Sequence, residues 1–334
     1  MHTHILLDHG SGGLASQRLI KDVFVRHLGN AVLSSLNDAA CLDLSGRVAM
    51  STDTFTVTPL FFPGGDIGSL AVHGTVNDVA MCGAVPRYLS CGFILEEGLS
   101  LELLERIVAS MARAAESAGV QIATGDTKVV PRGAVDQVFI NTTGLGELGE
   151  GTPPQGNRAA PGDAVLVNGS MGDHGLTVLA HREGLNFRTP VESDSAALNG
   201  LVSDVMQAVG DVHVLRDPTR GGLATTIKEI AEQSGVCIEL EESRIPFSPG
   251  VEEGCSFLGL DPLFLANEGK MICIVPQDMA EKALQAMRSH ALGKRAEIVG
   301  RVIQGQAGRV VLNTAIGGQR LVHMLEGEQL PRIC

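Results

Sequence analysis

Four aspartates in the first half of the chain sit among small or apolar residues: Asp38 in LNDAACLDL, Asp53 in STDTF, Asp78 in TVNDVAMCGA and Asp126 in TGDTKVV. Hard divalent cations need several oxygens, with room left for phosphate oxygens and water, and carboxylates at element ends supply them. Singly, each aspartate reads as a turn or cap residue; their recurrence points to a metal site. The opening DHGSGG lets the backbone of Gly10, Ser11, Gly12 and Gly13 approach phosphates, which Lys128 can follow as a point charge. Asn77 accompanies Asp78 on a helix. In the second half, DPTRGGL turns at Asp217 and Pro218. Arg220 and two glycines then lead into a helix whose first amides would face a phosphate. LANEGK places Asn267 and Glu268 in a turn before a strand; the plain reading of Glu268 is a solvated loop acid.

The last four residues are PRIC. Cys334 shares its α-carbon with the terminal carboxylate, whose charge opposes thiolate formation, and Arg332 offsets only part of that. A thiol so placed suits a carrier that is handed its group.

These residues need a scaffold, and composition bounds it. The chain has 334 residues, 44% hydrophobic, enough for two domains. Its net charge of −13, absent Trp and single Tyr (Tyr88) argue against nucleic-acid binding. No apolar run spans a bilayer and the N-terminus lacks a signal-peptide pattern, so a cytoplasmic protein without a membrane partner is expected. Seven cysteines without a CxxC fit a reducing compartment; Cys82, Cys91, Cys237, Cys255 and Cys273 have apolar or small neighbours and read as buried.

RVAMSTDTF, VQIATGDTKVV and DQVFINTTGLGEL read as strands. The clearest helix follows Ser100 as its cap, carries the stripe Leu101, Leu104, Val108, Met111 and Ala115, and stops at Gly119. A second covers IGSLAVHGTVNDVAMCGA. GLGELG matches a dinucleotide fingerprint but no helix can follow it, so that reading is rejected. Periodicity breaks at 149–162, dividing an N-terminal nucleotide-binding domain (1–150) from a C-terminal one (151–324). Strands alternate with helices in both, giving an α/β or α+β fold. Residues 325–334 read as a flexible tail ending in Cys334.

Together, HGSGG, STDTF, GTVNDVAMCGA, ATGDTKVV, DPTRGGL and ANEGK occur in an order that resembles the PurM-like (AIR synthetase-like) superfamily of ATP-using enzymes. The terminal PRIC resembles its hydrogenase-maturation (HypE) branch. The resemblance implies a homodimer of two-domain chains with mixed sheets flanked by helices, ATP and magnesium lying in a cleft roofed by the N-terminal segment. A carbamoyltransferase, HypF, would load a carboxamide onto Cys334, and dehydration would turn it into a thiocyanate. The cyano group would pass to iron on a HypC–HypD complex, for [NiFe]-hydrogenase. Several relatives carry two acids where this chain has Asn37-Asp38.

Removing oxygen from an amide in water requires a better leaving group than hydroxide, and phosphorylation of that oxygen provides one. On this reading magnesium would be held by Asp38, Asp53, Asp78 and Asp126. Lys128 would serve the phosphates or the amide, Glu268 would act as general base, and Asn77 or Arg220 would orient substrate or leaving group. Two alternatives remain: a phosphoryl-transfer enzyme acting on a free small molecule with an idle Cys334, and a non-enzymatic adaptor that docks partners through its tail.

Overall fold

The computed structural model describes residues 3–11, 13–36, 39–325 and 332–334; Gly12 of the expected phosphate loop, Asp38 of the expected metal set and residues 326–331 of the expected tail lie outside the described residues. Helices α1 (Leu14–Leu19) and α2 (Arg26–Leu28), joined by a π-helical stretch, precede strand β1 (Arg47–Phe55) and the small hairpin β2 (Phe61–Phe62) and β3 (Gly65–Asp66). Helix α3 (Ile67–Met81), β4 (Ala84–Glu96), α4 (Leu101–Ala118), β5 (Gln121–Val130) and β6 (Val138–Leu148) complete the first lobe. Its sheet has the order β1-β6-β4-β5, parallel only between β4 and β5.

After an element-free stretch over 149–162 come β7 (Asp163–Val167), α5 (Asp173–Arg182), α6 (Asn199–Val209), β8 (Val214–Arg216), α7 (Gly222–Ser234), β9 (Cys237–Glu241) and α8 (Pro249–Leu258). Then follow β10 (Ile272–Pro276), α9 (Ala280–Ser289), β11 (Glu297–Ile303), β12 (Val310–Asn313) and β13 (Gln319–Leu321). The second sheet is also mixed, β13-β12-β9-β11-β7-β10-β8, with only β9 and β12 parallel.

Local chemistry explains the elements that matter for the site. Ser100 Oγ accepts the Leu103 N–H and caps α4, and Gly119 ends it in the left-handed region at φ 69. The stripe Leu104, Val108, Met111 and Ala115 is buried, while Leu101 is half-buried. Asp66 caps α3 by accepting from Gly68 and Ser69, and Ser110 of α4 donates to its other oxygen. Helix α3 is apolar nearly all round because it lies between the first sheet and the second lobe: Leu70, Ala71 and Val76 join one core, Ala80 and Met81 the other. β7 is buried along its whole length, with α7 covering one face of its sheet and α6 and α9 the other. Among the described residues no helix is long and apolar enough to cross a membrane.

Two expectations are corrected. Asp53, Asp126 and Lys128 lie within β1 and β5 rather than beyond strand ends. Cys82 is exposed: it is the residue at which α3 stops, and its apolar neighbours turn inward while it does not. Cys91, Cys237, Cys255 and Cys273 are buried.

Candidate active site

Residues 332–334 at the chain end are seated between the lobes. The segment after β1 supplies one wall: Thr56 N–H donates to the terminal Cys334 oxygen at 3.0 Å and Thr58 N–H to the Arg332 carbonyl at 3.2 Å. Arg332 sits in the left-handed region at φ 53, which turns its side chain back over the first lobe. There its Nε donates to the Thr56 carbonyl (2.9 Å), Nη1 pairs with Asp136 (2.7 Å), and the guanidinium lies 5.7 Å from the Phe139 ring. Helix α5 supplies the other wall. Its His174 Nε2 meets the Ile333 carbonyl and its Arg182 Nη2 meets the Arg332 carbonyl, both at 2.6 Å. Ile333, 7% exposed, completes the first lobe's core.

This seat puts the Cys334 thiol among charges. Burial, followed by the Glu268 carboxyl, pushes it up to about 11, against a hydrogen bond from Arg220 that favours the thiolate. Glu268 is 3% exposed, so its plain reading as a solvated acid fails. Burial first, then the negative charges of Asp194, Asp217, Asp53 and Asp78, hold it well above the usual carboxylate range.

Its turn is pinned from several sides. Asp194 accepts the N–H groups of Glu268 (3.3 Å) and Gly269 (3.1 Å), with Lys270 Nζ 3.6 Å away. Asn77 donates to the Glu268 carbonyl (3.2 Å) and the Ala196 carbonyl (3.0 Å) and accepts from Leu198 N–H (2.7 Å). Asn77 is therefore a fully engaged brace between lobes. Asn267 joins the Pro218 carbonyl to the Gly172 amide, tying the DPT and ANEG turns together.

Asp53, Asp78 and Asp217 face this cleft, and burial raises the pKa of each. Ser51 Oγ donates to Asp78 at 2.7 Å, and Arg220 partly offsets the rise at Asp53. The glycines after Arg220 serve close packing: Gly222 has φ 61, and a Cβ there would lie 2.5 Å from the Leu265 carbonyl oxygen. The helix start expected to face a phosphate is thus pressed against the 263–265 loop.

Asp126 and Lys128 lie elsewhere. Thr54, Asn141, Gly92 and Asp126 pair in one row across the first sheet, and Asn141 Nδ2 donates to Thr54 Oγ1 at 3.0 Å, so this row points to the uncovered face. Asp53 belongs to the neighbouring row with Thr142 and Cys91, on the face covered by α3, where Thr142 bonds Thr75. The pleat thus separates Asp53 from Asp126, and three strand spacings add roughly 14 Å. Among the described residues no three potential ligands cluster around one metal position. Asp126 and Lys128, 3.7 Å apart, instead rim a cavity of about 710 Å³ between the N-terminal segment and β4–β5. Phe24, Phe93 and Ile122 line its apolar part, and Gly10 and Ser11 join the polar rim. Gly10 lies so close to β5 that a Cβ there would stand 2.7 Å from Val129 N.

Sequence reasoning missed Asp194, His174, Arg182 and Asp136. They are scattered through segments with no motif, and only folding brings them to the chain end.

Residues 36–148 and 160–313 match the N-terminal and C-terminal domains of the AIR synthase related proteins. The chain is 55% identical over 327 residues to the carbamoyl dehydratase HypE of Azotobacter vinelandii, covering 98% of this chain and 96% of that one. This chain belongs to the HypE family. It superposes on a crystal structure of the hydrogenase maturation protein HypE in complex with ATP with a TM-score of 0.96 at 62% identity, covering 98% of this chain and 99% of the other. A HypE–HypF complex structure aligns at a TM-score of 0.82 and 50% identity, over 92% of this chain and 99% of that one. The HypE family frame spans both lobes and therefore both the cavity and the cleft.

Proposed function

We propose that this chain is an ATP-dependent carbamoyl dehydratase of hydrogenase maturation, acting on a carboxamide carried by its own Cys334. The observation that carries the reading is the chain end itself: Cys334 is seated beside Glu268 with Arg220 on its sulfur. In the overall reaction –S–C(=O)NH2 and ATP become –S–C≡N, ADP and phosphate. The carboxamide oxygen leaves on the phosphoryl group that ATP supplies, and both nitrogen protons depart.

Glu268 is placed to take a proton from the nitrogen, because a buried carboxylate repelled by neighbouring acids is a stronger base than a solvated one. Arg220 steadies the sulfur, and Asn77 fixes the Glu268 turn. The cavity at Gly10, Ser11, Asp126 and Lys128 has the size and the mixed lining that a nucleotide needs. Magnesium would enter as the nucleotide's counter-ion, since among the described residues Asp53, Asp78 and Asp126 of one chain do not converge.

The nucleotide cavity lies by β5 and the chain end by β1, the two opposite edges of one sheet. A homodimer that sets one copy's β5 edge against the other's β1 edge would bring Lys128 of one chain to Cys334 of its partner. The uncovered sheet face offers Met50 (70% exposed) and Val48 (42% exposed) for such an interface. HypF is the proposed loading partner, a HypC–HypD complex the proposed acceptor, and the cytoplasm the proposed compartment. Intact-mass measurement tests the reaction: with carbamoyl phosphate, HypF and ATP, the chain should gain one carboxamide at Cys334 and then lose one water. A carboxamide that never loses water, or a Cys334→Ala variant that still does, would sink it.

A further inference from the structure

We propose that Arg182 and His174 of α5 are the positioning residues that hold the loaded chain end in the cleft, and that they do so by reading its backbone. This rests on the dehydratase reading of the same site. Arg182 takes the Arg332 carbonyl with Nη2 and the Thr58 carbonyl with Nε (2.8 Å), so one guanidinium staples the chain end to the segment it lies along. His174 is fully buried and neutral, since burial lowers its pKa. Ser193 Oγ lies 2.7 Å from its Nδ1 and can donate there, leaving Nε2–H for the Ile333 carbonyl. None of these contacts touches the Cys334 side chain, so a carboxamide on the sulfur leaves the grip unchanged.

The same seat carries opposing features. Burial, and after it the Arg332 charge, lower the pKa of Arg182, and among the described residues Arg332 Nη2 is buried without a hydrogen-bond partner. A chain end that must leave to be loaded and return to react needs a hold that is specific and still reversible.

The test uses the full-length protein and a small thiol alkylator, with modification of Cys334 and of exposed Cys82 read separately by peptide mass. The Cys334 rate relative to Cys82 should rise about tenfold in Arg182→Gln, as expected when a charge-assisted hydrogen bond holding the closed state is lost. His174→Leu should act likewise, whereas His174→Gln, which retains an amide donor, should restore most of the protection. In the coupled assay Arg182→Gln should accept the carboxamide at the wild-type rate yet lose water more slowly, with the KM for ATP unchanged. If Arg182→Gln is poorly folded, Arg182→Lys, which keeps the charge but cannot fork between the Arg332 and Thr58 carbonyls, gives the same readout. A Cys334-to-Cys82 ratio unchanged in well-folded Arg182→Gln or Arg182→Lys overturns the proposal. The alkylation arm involves no carboxamide, so its failure is distinct from a failure of the dehydratase reading, in which wild type itself never loses water.

Discussion

Replacing Glu268 by Gln separates the proposed base from its scaffold. The change is isosteric, and Asp194 and Asn77 hold the turn through backbone groups that Gln retains. Loss of a positioned base typically slows a proton transfer by 10²–10⁴, so water loss from the loaded chain should fall at least about a hundredfold. Carboxamide loading and nucleotide binding should be untouched. Stability gives a second, independent readout. Because the folded-state pKa of Glu268 is raised, the folded chain keeps a proton that the unfolded chain releases, and wild type loses stability as pH rises from about 4.5 through the folded value. Gln cannot ionise. The variant should therefore gain on wild type across that window by about 1.4 kcal/mol for each unit of pKa elevation. Thermal melts of both proteins from pH 4 upward, paired with single-turnover mass kinetics at each pH, measure the two effects. Water loss at the wild-type rate would refute Glu268 as base; a variant whose stability tracks wild type at every pH would refute its elevated pKa.

Asp194→Asn removes the largest charge contribution to the Glu268 elevation and one of two backbone grips, so the acid limb of the dehydration pH profile should move to lower pH while the plateau falls. Met50→Glu on the uncovered sheet face should yield monomers by light scattering and abolish dehydration, while leaving Cys334 as protected from alkylation as in wild type. Exposed Cys82 should alkylate before buried Cys91, Cys255 and Cys273, which become reactive only on unfolding.

Some of this was legible in the sequence and some was not, for identifiable reasons. Helix α4 could be read to its ends because its cap, stripe and stop are local, and each depends on residues a few positions apart. The mixed α/β character of both halves followed from periodicity in the same way. The aspartates illustrate the limit. Sequence spacing shows that Asp53 and Asp126 each lie near small residues, but the face each takes depends on strand register, set by pairing with β6 and β4 far along the chain. Gly221 and Gly222 resembled a phosphate approach, but tertiary contact with the 263–265 loop gives Gly222 a packing role. The seat of the chain end was invisible because its contacts come from residues 56, 58, 136, 174 and 182, none in a recognisable pattern.

The electrostatics of the cleft also explain why the residue carried there is a loaded thiol. Raising the Cys334 thiol from 9.0 to about 11 leaves roughly a hundredfold less thiolate at neutral pH than a solvated cysteine would have, so the seat is a poor place for the sulfur to attack anything. The acids that add to burial in raising it do not penalise a neutral carboxamide. Its nitrogen carries two N–H donors, and carboxylates accept them well. The thiocyanate product has neither donor and gains nothing from the acids that hold its precursor. The cleft therefore keeps the empty sulfur protonated and inert, while its acids offer the carboxamide acceptors that the nitrile cannot use. A chain end that collects its group outside and reacts inside needs a seat of that kind, one that receives the cargo without activating the thiol.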